Sequence, residues 1–417
     1  MDKVKITHIR AREILDSRGN PTVEADVEIE GGGKGRVAIP SGASTGSHEA
    51  VELRDEDPDR YLGKGEKKAV ANIAGEIADA IMGKNFDQRK LDAFLRELDG
   101  TPNSQRLGAD SLLPVSLAFA EAVANKSNIP LFRYIQTISD TKTTKAMPVP
   151  MMNLLNGGKH AGARADFQEF MIVPTGIGEY PEQLRAGSEI FHALQSILRN
   201  KGDSGLVGDE GGFSPRFNQN EDALALLVEA TKKAGYKTGK QVFLAIDVAA
   251  TEFYKEGKYE LKLDKKSLFS EEMILMYERL LEQFPICSVE DGLSEDDWDG
   301  WKEMTKRLGG KTMLVGDDLF VTNNNRLEKG VENKAGNAIL IKPNQIGTLT
   351  ETIAVCKTAK AAEYKIIVSH RSGETEDAFI SHLAVGISSD YVKFGSLSRS
   401  ERLAKYNELL RIVEENV

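Results

Sequence analysis

Cysteine is nearly absent from this sequence: Cys287 and Cys356 are the two in 417 residues, and neither belongs to a metal-binding or redox spacing. Their scarcity excludes a disulfide-stapled secreted scaffold and a thiolate zinc site, and fits a reducing, cytoplasmic setting. Long apolar runs are missing as well. The opening MDKVKITHIRAREILDSRGNPT has no extended apolar region of the signal-peptide kind, and no later stretch approaches the roughly twenty apolar residues of a membrane span, so no membrane association is expected. Positive charge is in deficit. The 54 Lys and Arg against 64 Asp and Glu give a formal net charge of -10. No basic stripe is left to neutralise a nucleic acid, although a small basic pocket stays open. Histidine is sparse too: His8, His48, His192 and His382 form no pair at ligand spacing, and His192 and His382 fall in helical patterns as structural residues. What is present is 40% hydrophobic and 28% charged, the balance of a globular chain. The length predicts two or three domains, or one large barrel with an appendage.

Along the chain, TVEADVEI at 22–29 alternates, with Val23, Ala25, Val27 and Ile29 on one face. It meets Gly31-Gly32-Gly33 and continues from Arg36 to Ile39, which predicts a hairpin. The small-residue loop SGASTG follows at 41–46, then helical patterns at 66–81 and from Asp110 to Lys126. The first part therefore reads as an α+β capping domain over residues 1–138, with a linker around 137–150 and a second domain over 139–417. In that second part apolar runs alternate with helical ones: PVPMMN, FQEFMIVP, VFLAID, PICSVE, TMLVGD, AILIKP, KIIVSH and YVKFG. Eight strand candidates predict a (β/α)8-type barrel. The first two are too close for a crossover helix, and two helical patterns at 182–200 and 221–234 precede the third. The barrel is thus expected to open irregularly as ββαα.

Chemistry concentrates at the ends of those runs. Lys342 closes AILIKP, and strand C-termini are where barrel enzymes place reacting groups; alone, it also reads as a snorkelling lysine. Three other runs end in acids, Asp247, Glu290 and Asp317, each of which singly could be the N-cap of the next helix. Converged on one barrel face, three carboxylates repel unless a cation neutralises them. Oxygen-only donors point to Mg²⁺, with Mn²⁺ as a substitute. Periodicity leaves open Asp317 against Asp318 and Glu290 against Asp291. The next runs end in His370-Arg371-Ser372 and in Lys393, so the site is acidic on one arc and basic on the other. That polarity suits an anionic substrate with its carboxylate on metal and a phosphate on Arg371. For Lys342 to act as a base, its pKa must fall from about 10.4 to about 7, about 4 kcal/mol towards the neutral form, and Mg²⁺ and Lys393 push in that direction. Such a base opposite metal-held carboxylate oxygens is the arrangement for abstracting a proton α to a carboxylate. Glu210, beside Asp209 and before Gly211-Gly212, suits an acid, because crowded carboxylates raise one another. The loops SGASTG and NGGKHAGARA have the small residues of closing lids, and SGASTG lacks the Gly-Lys-Ser/Thr of a nucleotide loop.

EILDSRGNPTVE, PSGASTGSHEA, NGGKHAG, QEFMIVPTG, VGDEGGF, VGDDLFVTN, NQIGTLTET, VSHRSGETED and RSERLAKYNELLRI together resemble the enolase family over nearly the whole chain. A Lys or His base working with Mg²⁺ is the known arrangement of that superfamily, so the pairing of Lys342 with a metal is not independent of the resemblance. The resemblance implies dehydration of 2-phosphoglycerate to phosphoenolpyruvate, a step of glycolysis reversed in gluconeogenesis, by a homo-oligomer, dimer or octamer. It implies two Mg²⁺ per site, the first on Asp247, Glu290 and Asp317, the second reached by Ser44. It further implies Lys342 as base and Glu210 as acid with Glu169 assisting. His160 and Gln168 would line the leaving-group side, Arg371 and Ser372 the phosphate, and Lys393 the carboxylate, with His370 nearby. One departure stands out. The family commonly reads Lys-Thr-Gly where this chain has Lys393-Phe394-Gly395, and a ring there could reshape the carboxylate end of the pocket. The rival expectations are a relative abstracting the α-proton of another carboxylate, and a scaffolding role in RNA-processing assemblies or at a cell surface.

Overall fold

The computed structural model describes residues 3–42, 48–142, 146–158, 165–203 and 205–415. An antiparallel sheet begins the chain, β1 (Val4–Leu15), β2 (Pro21–Ile29), β3 (Lys34–Ala38) and β4 (Asn85–Phe86), in the order β3-β2-β1-β4. The alternation of β2 does what it predicts: Val23, Ala25, Val27 and Ile29 are buried, under the long apolar helix at Ala109–Lys126. β1 is not legible from the sequence. One of its faces carries Arg10 and Arg12, and Glu13 on the opposite face interrupts the apolar alternation; Arg12 is ion-paired across to Glu24 and Asp26 of β2, and Glu13 to Arg60. The helical stretch from Lys67 to Ile81 is continuous but widens into a π turn over Ile73–Ile77, around Gly75.

Eight strands close the barrel: β5 (Val149–Asn156), β6 (Glu169–Val173) and β7 (Phe243–Asp247), then, after a small meander of β8 (Tyr254–Lys255), β9 (Lys258–Leu261) and β10 (Lys266–Leu268), β11 (Ile286–Glu290), β12 (Met313–Gly316), β13 (Ala338–Ile341), β14 (Lys365–Ser369) and β15 (Tyr391–Lys393). All eight sequence candidates are strands. β6 runs antiparallel to both neighbours, and helices Tyr180–Asn200 and Glu221–Lys233 follow it before β7, so the ββαα opening holds. The barrel interior is packed by Met151, Met171, Val173, Ala245, Val315, Ala338, Leu340 and Ile367, while Ile339, Ile341, Ile366 and Val368 face the helices. Side chains alternate along a strand. Extending the inward set by two residues gives Asp247, Asp317, Lys342 and, on β15, Lys393 after Tyr391.

The segment 48–55 of the first half lies over the barrel mouth. Ala50 N–H donates to the Gln345 carbonyl (2.9 Å), and Asn344 Nδ2 donates to Glu52 (3.2 Å). Behind it, Leu53 N–H donates to Asp110 Oδ2 (2.9 Å), and Arg54 pairs with Glu66 at 2.5 Å. Glu66 and Asp110 are both buried, and Glu66 Oε2 and Asp110 Oδ1 have no hydrogen-bond partner among the described residues. A carboxylate oxygen only accepts, so a neighbouring carboxyl can satisfy it only by carrying a proton. Burial pushes both above the usual carboxylate range, and the Asp110 charge adds to it for Glu66. A carboxyl whose folded value is raised costs nothing below its unfolded value of about 4.3, and costs progressively more stability as pH rises above it. Glu66→Gln, which carries the hydrogen permanently, is therefore expected to raise the thermal midpoint. The gain should be absent near pH 4 and grow to on the order of 1 kcal/mol by pH 8, as checked by melting curves across that range.

Candidate active site

The barrel residues given site roles from the sequence and described in the structure line one cleft at the mouth, except Glu290, which lies fully buried against Lys393. Glu169, Asp247 and Glu290 are in register on adjacent strands, and so form one layer. Alternation turns Glu290 and Asp317 inward, while Asp291 and Asp318 also line the cleft, so all four carboxyls are candidate ligands. Glu290 and Asp317 follow inward Ser288 and Val315, whereas Asp291 and Asp318 are one residue further. Asp291, with φ of 43°, turns back to accept the Asp317 and Asp318 N–H groups at 3.0 and 2.8 Å. Ser44 and His160 lie outside the described residues. Among the described residues, Ser41 pairs by its backbone with Gly373, and Gly157 N–H donates to the Gln168 carbonyl (2.8 Å).

Lys393 is the centre of the acidic arc. Its ammonium lies 2.8 and 2.9 Å from the two Glu290 oxygens, 3.0 Å from Asp247 and 3.2 Å from Glu169. Burial disfavours that charge, but Asp247, Glu169 and Glu290 reverse the effect and hold Lys393 well above the ordinary lysine value. Gln168 Nε2 reaches the same Asp247 oxygen at 3.4 Å. Lys342 pairs with Asp317, whose other oxygen accepts from Gln345 at 3.2 Å. Here the structure departs from the depressed base read from the sequence. Burial lowers Lys342, but the Asp317 carboxylate outweighs it, and the ammonium is held above its usual value. Neutral Lys342 requires Asp317 to be engaged elsewhere. Phe394 departs too. Its ring is fully buried outside the barrel, tilted against Tyr406 at 5.7 Å, because the residue after an inward Lys393 must face outward. It does not line the cleft.

On the far side, Arg371 donates to Glu49 at 2.9 and 3.4 Å and to Asn344 at 3.2 Å, and Ser372 lines the cleft beside it. Asn153 Nδ2 donates to Glu210 at 2.8 Å, and His370 Nε2 lies 3.5 Å from the other Glu210 oxygen. Burial, then the Glu210 charge, pushes Glu169 well above the carboxylate range. Glu49, Gln345, Asn153 and Arg402 belong to the site yet escaped sequence reasoning. Their segments were visible as motifs, but their contacts reach across up to 322 positions of chain.

Carboxyl groups dominate the lining: Glu49, Glu169, Glu210, Asp247, Asp291, Asp317 and Asp318 face Lys342, Arg371 and Lys393. Burial and the neighbouring charges push Glu290 and Asp291 well up and Asp318 to about 8. Oxygens of Asp291, Asp317 and Asp318 come within 4.8 Å of one another. An excess of buried all-oxygen donors fits a hard divalent cation, and the Lys342 and Lys393 ammonium groups pair with carboxylates of the same set. The fold and this site thus define an α/β-barrel enzyme with a capping α+β half and a cation-accepting acidic centre. Residues 144–417 match the family described as Enolase, C-terminal TIM barrel domain, and residues 6–135 match Enolase, N-terminal domain. The chain belongs to the enolase family.

Proposed function

We propose that the protein dehydrates 2-phosphoglycerate to phosphoenolpyruvate, reversibly, as the glycolytic and gluconeogenic step. The observation that carries this reading is the position of base and acid. In the ring order β5-β6-β7-β11-β12-β13-β14-β15, Lys342 follows β13 and Glu169 starts β6, four strands away and diametrically opposite, with Glu210 beside it on Asn153 of β5. A substrate lying between them loses its proton to one face and its hydroxyl from the other. Asp247, Glu290 and Asp317 would hold Mg²⁺ or Mn²⁺, and Ser44 a second ion, supplying positive charge beside the substrate carboxylate. Released from Asp317, neutral Lys342 takes the C2 proton. The electron pair left at C2 forms the double bond as the C3–oxygen bond breaks, and Glu210, assisted by Glu169, protonates the departing hydroxyl to water. Arg371 and Ser372 bind the phosphate, Lys393 the carboxylate, and Gln168 and His160 the leaving-group side, with His370 behind Glu210.

The outward Phe394 gives no support to a different substrate. Membership of the family supports a homo-oligomer, dimer or octamer. No helix among the described residues is long and apolar enough to cross a membrane, and the free thiols of Cys287 and Cys356 fit the proposed reducing, cytoplasmic setting. Purified protein is expected to convert 2-phosphoglycerate with Mg²⁺, followed by absorbance of the enol product, and to lose that turnover in EDTA and regain it with added Mg²⁺. Absence of turnover in folded, Mg²⁺-binding protein would move the search to other carboxylates with an acidic α-proton.

A further inference from the structure

Arg402 is a fully buried guanidinium at the start of the last helix, Ser400–Glu415, and it touches no position through which substrate would pass. Its nearest carboxylate is Glu401, at 3.6 Å from Nε. The two terminal nitrogens are instead spent on neutral acceptors around the cleft. Nη1 donates to the Arg371 carbonyl (2.6 Å) and meets His370 Nδ1 (2.6 Å); Nη2 donates to the carbonyls of Ser372 (2.7 Å) and Asp209 (3.1 Å). One side chain thereby ties the loop carrying Glu210 to the loop carrying His370, Arg371 and Ser372. The ring is held from its other side as well. A Cβ on Gly395 would come within 2.9 Å of both His370 Cε1 and Arg402 Cδ, so neither group has room to turn away.

A guanidinium has five donors and no acceptor. A histidine nitrogen at 2.6 Å from it can bond only through a lone pair, which puts the single hydrogen of a neutral ring on Nε2. We propose that Arg402 is a positioning residue that fixes His370 as the Nε2–H tautomer, so that the imidazole presents a donor, and never an acceptor, to Glu210. Burial outweighs the opposing Glu210 charge and, with Arg402, Lys393 and Lys342 adding to it, keeps His370 well below its usual value and therefore neutral. The consequence rests on the reading of Glu210 as the acid. With Nδ1–H instead, the Nε2 lone pair would face Glu210 at 3.5 Å and would compete with the departing hydroxyl for its proton. Arg402 removes that competitor without touching substrate.

The test uses the full chain with Mg²⁺, labelled with ¹⁵N-histidine, the His370 signals being assigned by their loss in His370→Gln. The wild type should show Nε2 protonated and Nδ1 bare from about pH 6 to 8. Arg402→Met should mix the two tautomers and lower kcat about ten- to hundredfold with KM little changed, while Arg402→Lys, which keeps a buried donor, retains the Nε2–H form. A protonated Nδ1 in the wild type overturns the proposal whether or not Arg402→Met folds. So does a folded Arg402→Met protein with unchanged tautomer and kcat. An Nε2–H ring in protein that never turns over 2-phosphoglycerate would sink the reading of the reaction and leave the tautomer assignment standing.

Discussion

Lys342→Ala is expected to abolish exchange of the C2 proton of 2-phosphoglycerate with solvent, lowering turnover by about 10³-fold or more, while the protein keeps its fold and binds the substrate. The fold should survive because the lysine is anchored at one place, Asp317, and that carboxylate retains Gln345 as a donor. The same pairing explains why metal belongs in the assay. Asp317 holds the ammonium charged, so the base becomes available only when that carboxylate serves something else. Isotope exchange into the substrate, read by mass spectrometry alongside far-ultraviolet circular dichroism, separates loss of the base from loss of structure. Exchange that persists in the folded variant would name another base.

Lys393→Met should have the largest effect on stability. The ammonium is almost fully buried and lies within 3.2 Å of Glu169, Asp247 and Glu290 at once. Removing one partner of a buried charge set leaves the others uncompensated, a cost of about 3–5 kcal/mol. The variant is expected to melt far below the wild type in EDTA and to recover part of the difference in Mg²⁺, because a divalent cation among the same carboxylates restores positive charge. Denaturant midpoints with and without Mg²⁺ measure both quantities. Equal midpoints for variant and wild type in EDTA would mean that the carboxyls are already neutral without the lysine.

What the sequence made legible here follows from one short period. Two-residue alternation sends Leu340 and Lys342 to the same face, so a lysine ending an apolar run reads as a barrel-mouth residue. That rule also turns Asp317 inward and Phe394 outward, once Val315 and Tyr391 are known to point in. The rule applies to the sequence alone, but only the closed sheet says which face is which. The hairpin at β2 and β3 was visible for the same reason, and β1 was not, since Glu13 breaks its apolar face and pairs with Arg60, a contact no spacing encodes. The rest was out of reach on physical grounds. Glu49 opposite Arg371, Asp110 beneath Leu53 and Arg402 behind His370 are contacts between segments with no pattern in common. Lys342 shows a further limit: residue type and spacing located it, yet its charge state depends on the distance to Asp317, which no spacing encodes.

The segment lying over the barrel mouth has a kinetic consequence. Glu49 meets Arg371 and Gln345 across 322 and 296 positions, whereas the barrel strands close mostly through neighbours in sequence. Contacts of such long reach form late in folding. In a refolding experiment, secondary structure should therefore return before turnover, with the lag belonging to docking of the first half rather than to the barrel. Regained activity would act as a clock for that docking event, and its delay would lengthen in variants that loosen residues 48–55 and leave the barrel untouched.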